Sequence, residues 1–136
     1  MKFKVLGIEH IGVAVNEIKE PSNFFGNLLG IENSLTEEVE DQKVLTDIYD
    51  TGLGKVELLK ATAEDSPISK FLSKRGEGVH HIAFLVDDVQ LALDELSNSN
   101  IELIDSKPRL GAEGMLIAFL HPRSTSGVLV ELCQKP

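Results

Sequence analysis

Two adjacent histidines, His80 and His81, stand at the head of an apolar run in the stretch GEGVHHIAFLVDD. Histidine is the commonest metal-binding side chain, but a single histidine at a strand end is more often structural than a ligand. The pair therefore indicates a metal site only if other ligand-type residues recur at matching places in the chain.

A weak internal repeat supplies such residues. The stretch EHIGVAV resembles HHIAFLV, and both precede a polar cap and a helical pattern. His10 and His81 occupy the first strand of each half, whereas Glu57 and Glu131 occupy the last strand of each half. The two histidines are separated by nearly the same number of residues as the two glutamates. Each half thus contributes one imidazole and one carboxylate.

The candidate ligands lie opposite apolar faces of their strands, because strand side chains alternate between two faces. Ile11 and Val13 share one face, so His10 lies on the other face beside Gly12 and Ala14, which leave room for a bound group. Two imidazoles and two carboxylates suit a divalent ion of intermediate hardness, such as Co²⁺, Mn²⁺, Ni²⁺, Fe²⁺ or Zn²⁺. The alternative is that the histidines are ordinary strand-end residues and the glutamates edge-strand charges.

The elements that must position these residues follow the same order in both halves: a strand, a helix and three more strands. In the first half, the helix contains Phe24, Phe25, Leu28 and Leu29, and the later strands are Ile31–Glu37, Lys43–Asp50 and Lys55–Leu59. In the second half, the helix begins at Asp87 or Asp88, and the later strands are Ile101–Ile104, Met115–Leu120 and Gly127–Cys133. We predict an α+β fold, a single domain over residues 1–136, with two βαβββ modules (about 6–60 and 77–134) and a helical linker over about 66–75, capped by Ser66.

Composition narrows the classes of partner. The chain has 136 residues, of which 42% are hydrophobic, and 13 Lys and Arg against 22 Asp and Glu give a net charge of −9. This acidity argues against nucleic acid and against an anionic membrane as partners. Cys133 is the only cysteine, so no intrachain disulfide can form. No segment approaches the ~20 apolar residues of a membrane span, and we expect a cytoplasmic protein.

The chain resembles the vicinal oxygen chelate superfamily, which includes glyoxalase I and the bleomycin-resistance proteins, and within it the methylmalonyl-CoA epimerase family. The matching stretches are EHIGVAV, KVELL, DSPISKFL, GEGVHHIAFLVDD, KPRLGAEGMLIAFLHP and SGVLVELCQ, which span nearly the whole chain. The resemblance implies paired βαβββ modules that form an open, cup-shaped mixed sheet around a metal site. It implies His10, Glu57, His81 and Glu131 as metal ligands, with Co²⁺ as the first choice of ion.

The resemblance also implies a reaction, the interconversion of (2R)- and (2S)-methylmalonyl-CoA through removal and return of the C2 proton. The conjugate base is an enolate, whose charge a Lewis-acidic metal stabilises. Inversion requires proton transfer on both faces of C2. Glu131 is the candidate base for one face. In at least one relative a carboxylate takes the place of Thr46. The neighbouring Asp47 could act as the base for the other face only if its strand is shifted or bulged. The second base therefore stays unassigned.

Binding of the acidic CoA moiety needs a local positive field. Candidates are Lys70, Lys74, Arg109 and Arg123, although an ordinary solvated surface explains these residues equally well. Gly111 and Gly114 give the loop KPRLGAEGM the glycines of a flexible cover over the substrate.

Two other functions compete with the epimerase. A lactoylglutathione lyase of the glyoxalase I type would use a similar metal site on a glutathione hemithioacetal. A metal-free binding or resistance protein would have no reason to keep both histidines and both glutamates. For the epimerase we expect a homodimer, because closed symmetric pairs are the commonest assembly and relatives often form them.

Overall fold

The computed structural model describes residues 1–136. The strands are β1 (Val5–Ala14), β2 (Glu32–Val39), β3 (Val44–Asp50), β4 (Lys55–Ala61), β5 (Gly78–Val86), β6 (Arg109–Leu110), β7 (Leu116–Leu120) and β8 (Val130–Gln134). The α-helices are α1 (Lys19–Ser22), α2 (Pro67–Arg75) and α3 (Val89–Asn98). None of the helices combines the length and the apolar character needed to cross a membrane.

The chain divides into two compact units. The first unit is His10–His80, and the second comprises Met1–Glu9 and His81–Pro136. The boundaries therefore fall inside strands β1 and β5. Relative to the predicted modules of residues 6–60 and 77–134, helix α2 joins the first unit and the first nine residues join the second.

Both repeats have the same strand connectivity. In the first repeat the strand order is β2-β3-β4-β1, with β1 parallel to β4 and the other neighbours antiparallel. In the second repeat the order is β5-β8-β7-β6, with β5 parallel to β8 and the other neighbours antiparallel. The predicted order of strand, helix and three strands is confirmed in both repeats, and each repeat has a mixed sheet.

The helical segment of the first unit departs from the prediction. Helix α1 has only four residues and continues as the π-helical segment Asn23–Leu28, in which the Leu29 amide donates to the Phe24 carbonyl at 2.9 Å. Phe25 packs against the core of Val15, Tyr49 and Leu58. Phe24, Leu28 and Leu29 lie outside this core and are 47%, 70% and 54% exposed.

Helix α3 forms the core of the second unit. Asp88 is its N-cap, since its carboxylate accepts the Leu91 amide at 2.9 Å. Val89 and Leu93 on the helix pack against Leu132 of β8. The opposite face of the same sheet carries a second apolar cluster of Ala83, Met115, Ile117, Phe119 and Cys133.

The predicted strand Ile101–Ile104 is wrong. Only Leu103 forms an isolated bridge, to Leu120, and the edge strand is instead β6. The reason lies in Asp105, whose carboxylate accepts the Phe119 amide at 2.9 Å. A paired strand would use that amide, so the side chain of Asp105 ends the ladder.

Candidate metal centre and active site

In the first unit, the parallel pairing of β1 and β4 brings His10 and Glu57 together. The register pairs His10 with Lys55 and Gly12 with Glu57, on the face opposite the core residue Leu58. His10 and Glu57 are 5% and 4% exposed. The distance between His10 Nδ1 and Glu57 Oε2 is 3.0 Å. The residue directly beside Glu57 on β1 is Gly12, so the β1 side chain that contacts the carboxylate is that of His10.

In the second unit, the parallel pairing of β5 and β8 does the same for His81 and Glu131. The register pairs Ala83 with Glu131, which puts His81 and Glu131 on one face. Both side chains are buried, and His81 Nε2 lies 3.5 Å from Glu131 Oε1. The repeat thus produces an imidazole–carboxylate pair in each unit.

The donor set fits a divalent metal ion. Burying a carboxylate is costly unless a cation or hydrogen-bond donors compensate its charge, and each buried glutamate has an imidazole beside it. Imidazole nitrogen and carboxylate oxygen together suit ions of intermediate hardness. The structure therefore brings the four predicted ligands together two by two, His10 with Glu57 and His81 with Glu131.

Two side chains around Glu131 were not predicted as part of the site. The Cys133 thiol donates to Glu131 Oε2 at 2.9 Å. The Phe119 ring meets the His81 ring edge to face, with 5.7 Å between centroids. Alternation along β7 and β8 places both residues on the face of Glu131, so the sequence carried the signal for them. The Cys133 side chain is buried.

His80 is a structural neighbour of the site. Its ring packs edge to face on Phe71 of α2, with 5.0 Å between centroids. Desolvation lowers the pKa of His80 from 6.5 to about 4, so the ring is neutral at physiological pH. Alternation along β5 separates His80 from the face of His81.

Asp47 does not fulfil the condition under which it could act as the second base. The pairing of β3 with β4 is continuous from Val44 to Asp50, so β3 is neither shifted nor bulged against β4. Asp47 lies opposite the core residue Leu58, whereas Glu57 lies opposite Ile48. Asp47 and Glu57 therefore point to opposite faces of the sheet. This corrects the expectation that Asp47 could take part in proton transfer.

Asp47 instead accepts three side-chain hydrogen bonds. Its donors are Asn33 Nδ2 at 2.7 Å, the Thr36 hydroxyl at 2.6 Å and the Tyr49 hydroxyl at 2.8 Å. Burial raises the pKa of Tyr49, which keeps its hydroxyl protonated as a donor. The buried carboxylate of Asp47 thus ties strand β2 to strand β3.

Of the predicted cationic residues, Arg109 has the shortest chain of contacts to an imidazole–carboxylate pair. It lies opposite Ile117 across β6 and β7, hence on the face of Phe119 and Glu131. Its guanidinium carbon is 5.7 Å from the centre of the Phe119 ring, and Phe119 in turn contacts His81. An ion pair of 3.4 Å with Asp105 holds the guanidinium in place.

The other three predicted cationic residues lie on the surface. Lys70 and Lys74 are exposed on α2, and Arg123 forms a 3.3 Å ion pair with Glu102. Gly111 approaches Ile117 so closely that a Cβ there would lie 2.8 Å from Ile117 Cγ2. Gly114 has a φ of +70°, which favours glycine. Both glycines are therefore required by the backbone of their loop.

Comparison with known proteins identifies the family. The family model described as the Glyoxalase/Bleomycin resistance protein/Dioxygenase superfamily matches residues 9–119. The chain belongs to this superfamily. An uncharacterized protein of Bacillus subtilis, YqjC, is 46% identical over 127 residues, which are 93% of this chain and 91% of that protein.

Methylmalonyl-CoA epimerases are among the relatives. The mitochondrial methylmalonyl-CoA epimerase of Dictyostelium discoideum is 36% identical over 135 residues, which cover 98% of this chain and 81% of the relative. A solved structure of a Streptomyces coelicolor epimerase variant, in complex with 2-nitronate-propionyl-CoA, is 36% identical with a TM-score of 0.92, covering 97% of this chain and 96% of that chain. The chain therefore belongs to this family of isomerases, and the predicted resemblance and glyoxalase-like α+β fold are confirmed.

Proposed function

We propose that this chain is a metal-dependent epimerase that interconverts (2R)- and (2S)-methylmalonyl-CoA by proton transfer at C2 through an enolate. The observation that carries the proposal is the buried imidazole–carboxylate pair in each repeat, His10 with Glu57 and His81 with Glu131. Full-length similarity to methylmalonyl-CoA epimerases supports the substrate.

We propose His10, Glu57, His81 and Glu131 as ligands of a divalent ion. Co²⁺ is the first choice, with Mn²⁺, Ni²⁺, Fe²⁺ and Zn²⁺ as alternatives, since all accept mixed nitrogen and oxygen ligands. A bound divalent ion supplies Lewis acidity for the negative charge that develops on the thioester when the C2 proton leaves.

Glu131 is the proposed base for one face of C2. Its carboxylate is buried and therefore shielded from bulk water. The thiol of Cys133 and the imidazole of His81 each contact one of its oxygens and fix its orientation. A carboxylate held in this way can take the proton and return it without leaving the site.

Arg109 is the proposed anchor for an anionic part of the acyl-CoA. Its stacking on Phe119 and its ion pair with Asp105 preorganise the guanidinium, which can bind a carboxylate or phosphate through two parallel hydrogen bonds. Lys70, Lys74 and Arg123 would add long-range attraction for the negative substrate. Gly111 and Gly114 would allow their loop to approach the thioester.

We further propose that the protein acts in the cytoplasm as a homodimer. Val5, Leu6 and Ile8 on β1 are 55%, 60% and 55% exposed. A row of large apolar side chains on a strand is typical of a surface that is covered in an assembly. Sedimentation of the purified protein would measure the oligomeric state.

Deuterium exchange at C2 of methylmalonyl-CoA in heavy water, followed by NMR, tests the proposed function. The assay uses metal-stripped protein and the same protein reloaded with Co²⁺. Exchange and inversion only after reloading support a metal-dependent epimerase. Absence of exchange with every divalent ion overturns it and redirects the assay to the glutathione hemithioacetal, and then to ligand binding without metal.

A further inference from the structure

An epimerase needs a proton carrier for each face of the reacting carbon. In the proposed function Glu131 serves one face, and Asp47 points away from the face of Glu57. Thr46 lies on the face of Glu57, but its neutral hydroxyl is too weak a base to take the C2 proton unaided. A carboxylate on this face would supply the second carrier.

The register of β2 against β3 supplies one. Glu37 lies directly opposite Thr46, and Thr46 lies directly opposite Leu59 on β4. Residues directly opposite each other in an antiparallel pair point to the same face. Since Leu59 and Glu57 alternate to the same side of β4, Glu37 shares the face of Glu57.

A β-bulge is what turns Glu37 to this face. The pairing shifts by one residue between Asn33 and Leu35, so that Asn33 pairs with Tyr49 but Leu35 pairs with Ile48. In an unbroken register Glu37 would share the face of Asn33, which is the face of Asp47. A one-residue shift exchanges the two faces for every residue that follows it.

The hydrogen bonds of Asp47 hold the bulge in place. Asn33 precedes the shift and Thr36 follows it, yet both donate to the same oxygen of Asp47, at 2.7 Å and 2.6 Å. Two residues three apart reach the same side of a strand only if the register changes between them. The bulge is thus held by hydrogen bonds on the face of Asp47.

The burial pattern of β2 agrees with this orientation. Thr36 and Glu38 are exposed, whereas Glu37 between them is partly buried, and its cross-strand neighbour Thr46 is 2% exposed. Strands lie about 4.8 Å apart, so the α-carbons of Glu37 and Glu57, two strands and two residues apart, are separated by roughly 12 Å.

We propose that Glu37 is the second catalytic acid–base, and that the bulge clamped by Asp47 positions it; this inference rests on the proposed epimerase function. The Glu37 carboxylate takes the C2 proton of one epimer as the C–H electron pair moves into the thioester to form the enolate. The protonated Glu131 then delivers its proton to the opposite face of C2. The reverse reaction, or exchange with water, returns both carboxyls to their starting states.

Separate assays of the two epimers in heavy water test the proposal, with Glu37→Gln as the variant and Glu38→Gln as the matched control on the other face of β2. Glu37→Gln is expected to slow inversion by about 10²–10⁴-fold, the usual contribution of a general base. It should still exchange the C2 proton of one epimer, without inverting it, and should not exchange that of the other. Glu38→Gln should invert both epimers as the wild type does.

Each alternative outcome overturns the proposal. Normal inversion by Glu37→Gln would show that this carboxylate does not transfer the C2 proton. Equal loss of exchange from both epimers, with bound metal retained, would assign Glu37 a general structural role instead. If wild-type protein exchanges neither epimer with any metal, the proposed function itself fails, and that result is distinguished by the wild-type control.

A double variant that restores a carboxylate on the same face tests the proposal independently. The double variant Glu37→Gln with Thr46→Glu moves the carboxylate across to β3 on the same face, and we expect it to regain exchange of the lost epimer. Failure of this variant to regain exchange, while it binds metal as the wild type does, would count against a carboxylate at this place on the face.

Discussion

Thr36 donates its hydroxyl hydrogen bond to Asp47 at 2.6 Å from the far side of the register shift in β2. Asp47 also binds Asn33 on the near side and Tyr49 on its own strand. One buried carboxylate therefore fixes both the pairing of β2 and the face to which the later residues of that strand point.

Replacing Asp47 should destabilise the protein. Asp47→Ala leaves three donors without their acceptor, and we expect the free energy of unfolding to fall by about 1–3 kcal/mol. Urea unfolding measures this change. Asp41→Ala, at an exposed acidic residue in the turn after β2, is the control and should be nearly neutral. Equal stability of both variants would show that the clamp contributes nothing.

Metal binding should depend on His10 and His81 but not on His80, which lies on the opposite face of β5. His10→Ala and His81→Ala each remove one predicted ligand, and we expect Co²⁺ affinity to fall about 100-fold or more, since even the loss of a group behind a ligand costs about 10–100-fold. His80→Ala, one position away on the other face, should bind Co²⁺ as the wild type does. Calorimetric titration of metal-stripped protein measures all three, and equal loss in His80→Ala would contradict the assignment.

The buried His80 should make stability depend on pH. Its pKa is about 4 in the folded protein against 6.5 for an ordinary histidine, so the unfolded chain binds more protons between these values. The free energy of unfolding should therefore fall as the pH is lowered from about 7 toward 4, by roughly 1–3 kcal/mol for this group.

A variant isolates this contribution from the titrating carboxylates. His80→Leu removes the imidazole, so the difference in unfolding free energy between wild type and variant should change across that pH window and level off below it. Urea titrations at several pH values give the difference. A constant difference would mean that His80 has an ordinary pKa.

The close approach of Gly111 to Ile117 should make the loop intolerant of a methyl group. Gly111→Ala places a Cβ at 2.8 Å from Ile117 Cγ2, and overpacking of this kind costs about 1–3 kcal/mol. Trimming the partner in Gly111→Ala with Ile117→Val should recover part of the loss. Thermal unfolding of the single and double variants measures the coupling, and purely additive effects would exclude a direct clash.

Arg109 should affect substrate binding more than turnover. If its guanidinium binds an anionic group of the acyl-CoA, Arg109→Gln should raise KM about 10-fold, equivalent to about 1.4 kcal/mol, with a smaller change in kcat. Arg75→Gln is the matched control, because Arg75 is also exposed and also stacks on a phenylalanine, Phe71. Equal changes in both variants would indicate only a loss of general positive charge.

Alternation and the internal repeat predicted much of the candidate site. Strand parity predicted that His10, Glu57, His81 and Glu131 lie opposite the apolar faces of their strands, and the repeat predicted the same order of elements in both halves. The pairing of β1 with β4 and of β5 with β8 came from the structure. The helix caps Ser66 and Asp88 were also predicted from the sequence. Each side chain accepts a hydrogen bond from an amide in the first turn of its helix.

Features that depend on a single inserted or diverted residue were not predictable. The bulge between Asn33 and Leu35 leaves no trace in the polar pattern of β2, so parity counted from the sequence puts Glu37 on the wrong face. The π-helical turn after α1 and the capture of the Phe119 amide by Asp105 are likewise decided by tertiary contacts, which override local propensity.

The first nine residues form hydrogen bonds with the second half of the chain. The Lys4 amide donates to the Asp87 carboxylate at 2.8 Å, the Asp87 amide donates back to the Lys4 carbonyl, and the Lys2 amide donates to Glu95. A gene cut within α2 would therefore yield a downstream fragment that lacks part of its own folding unit. Shuffling of halves between relatives would have to carry this short N-terminal segment along with the distant repeat that it completes.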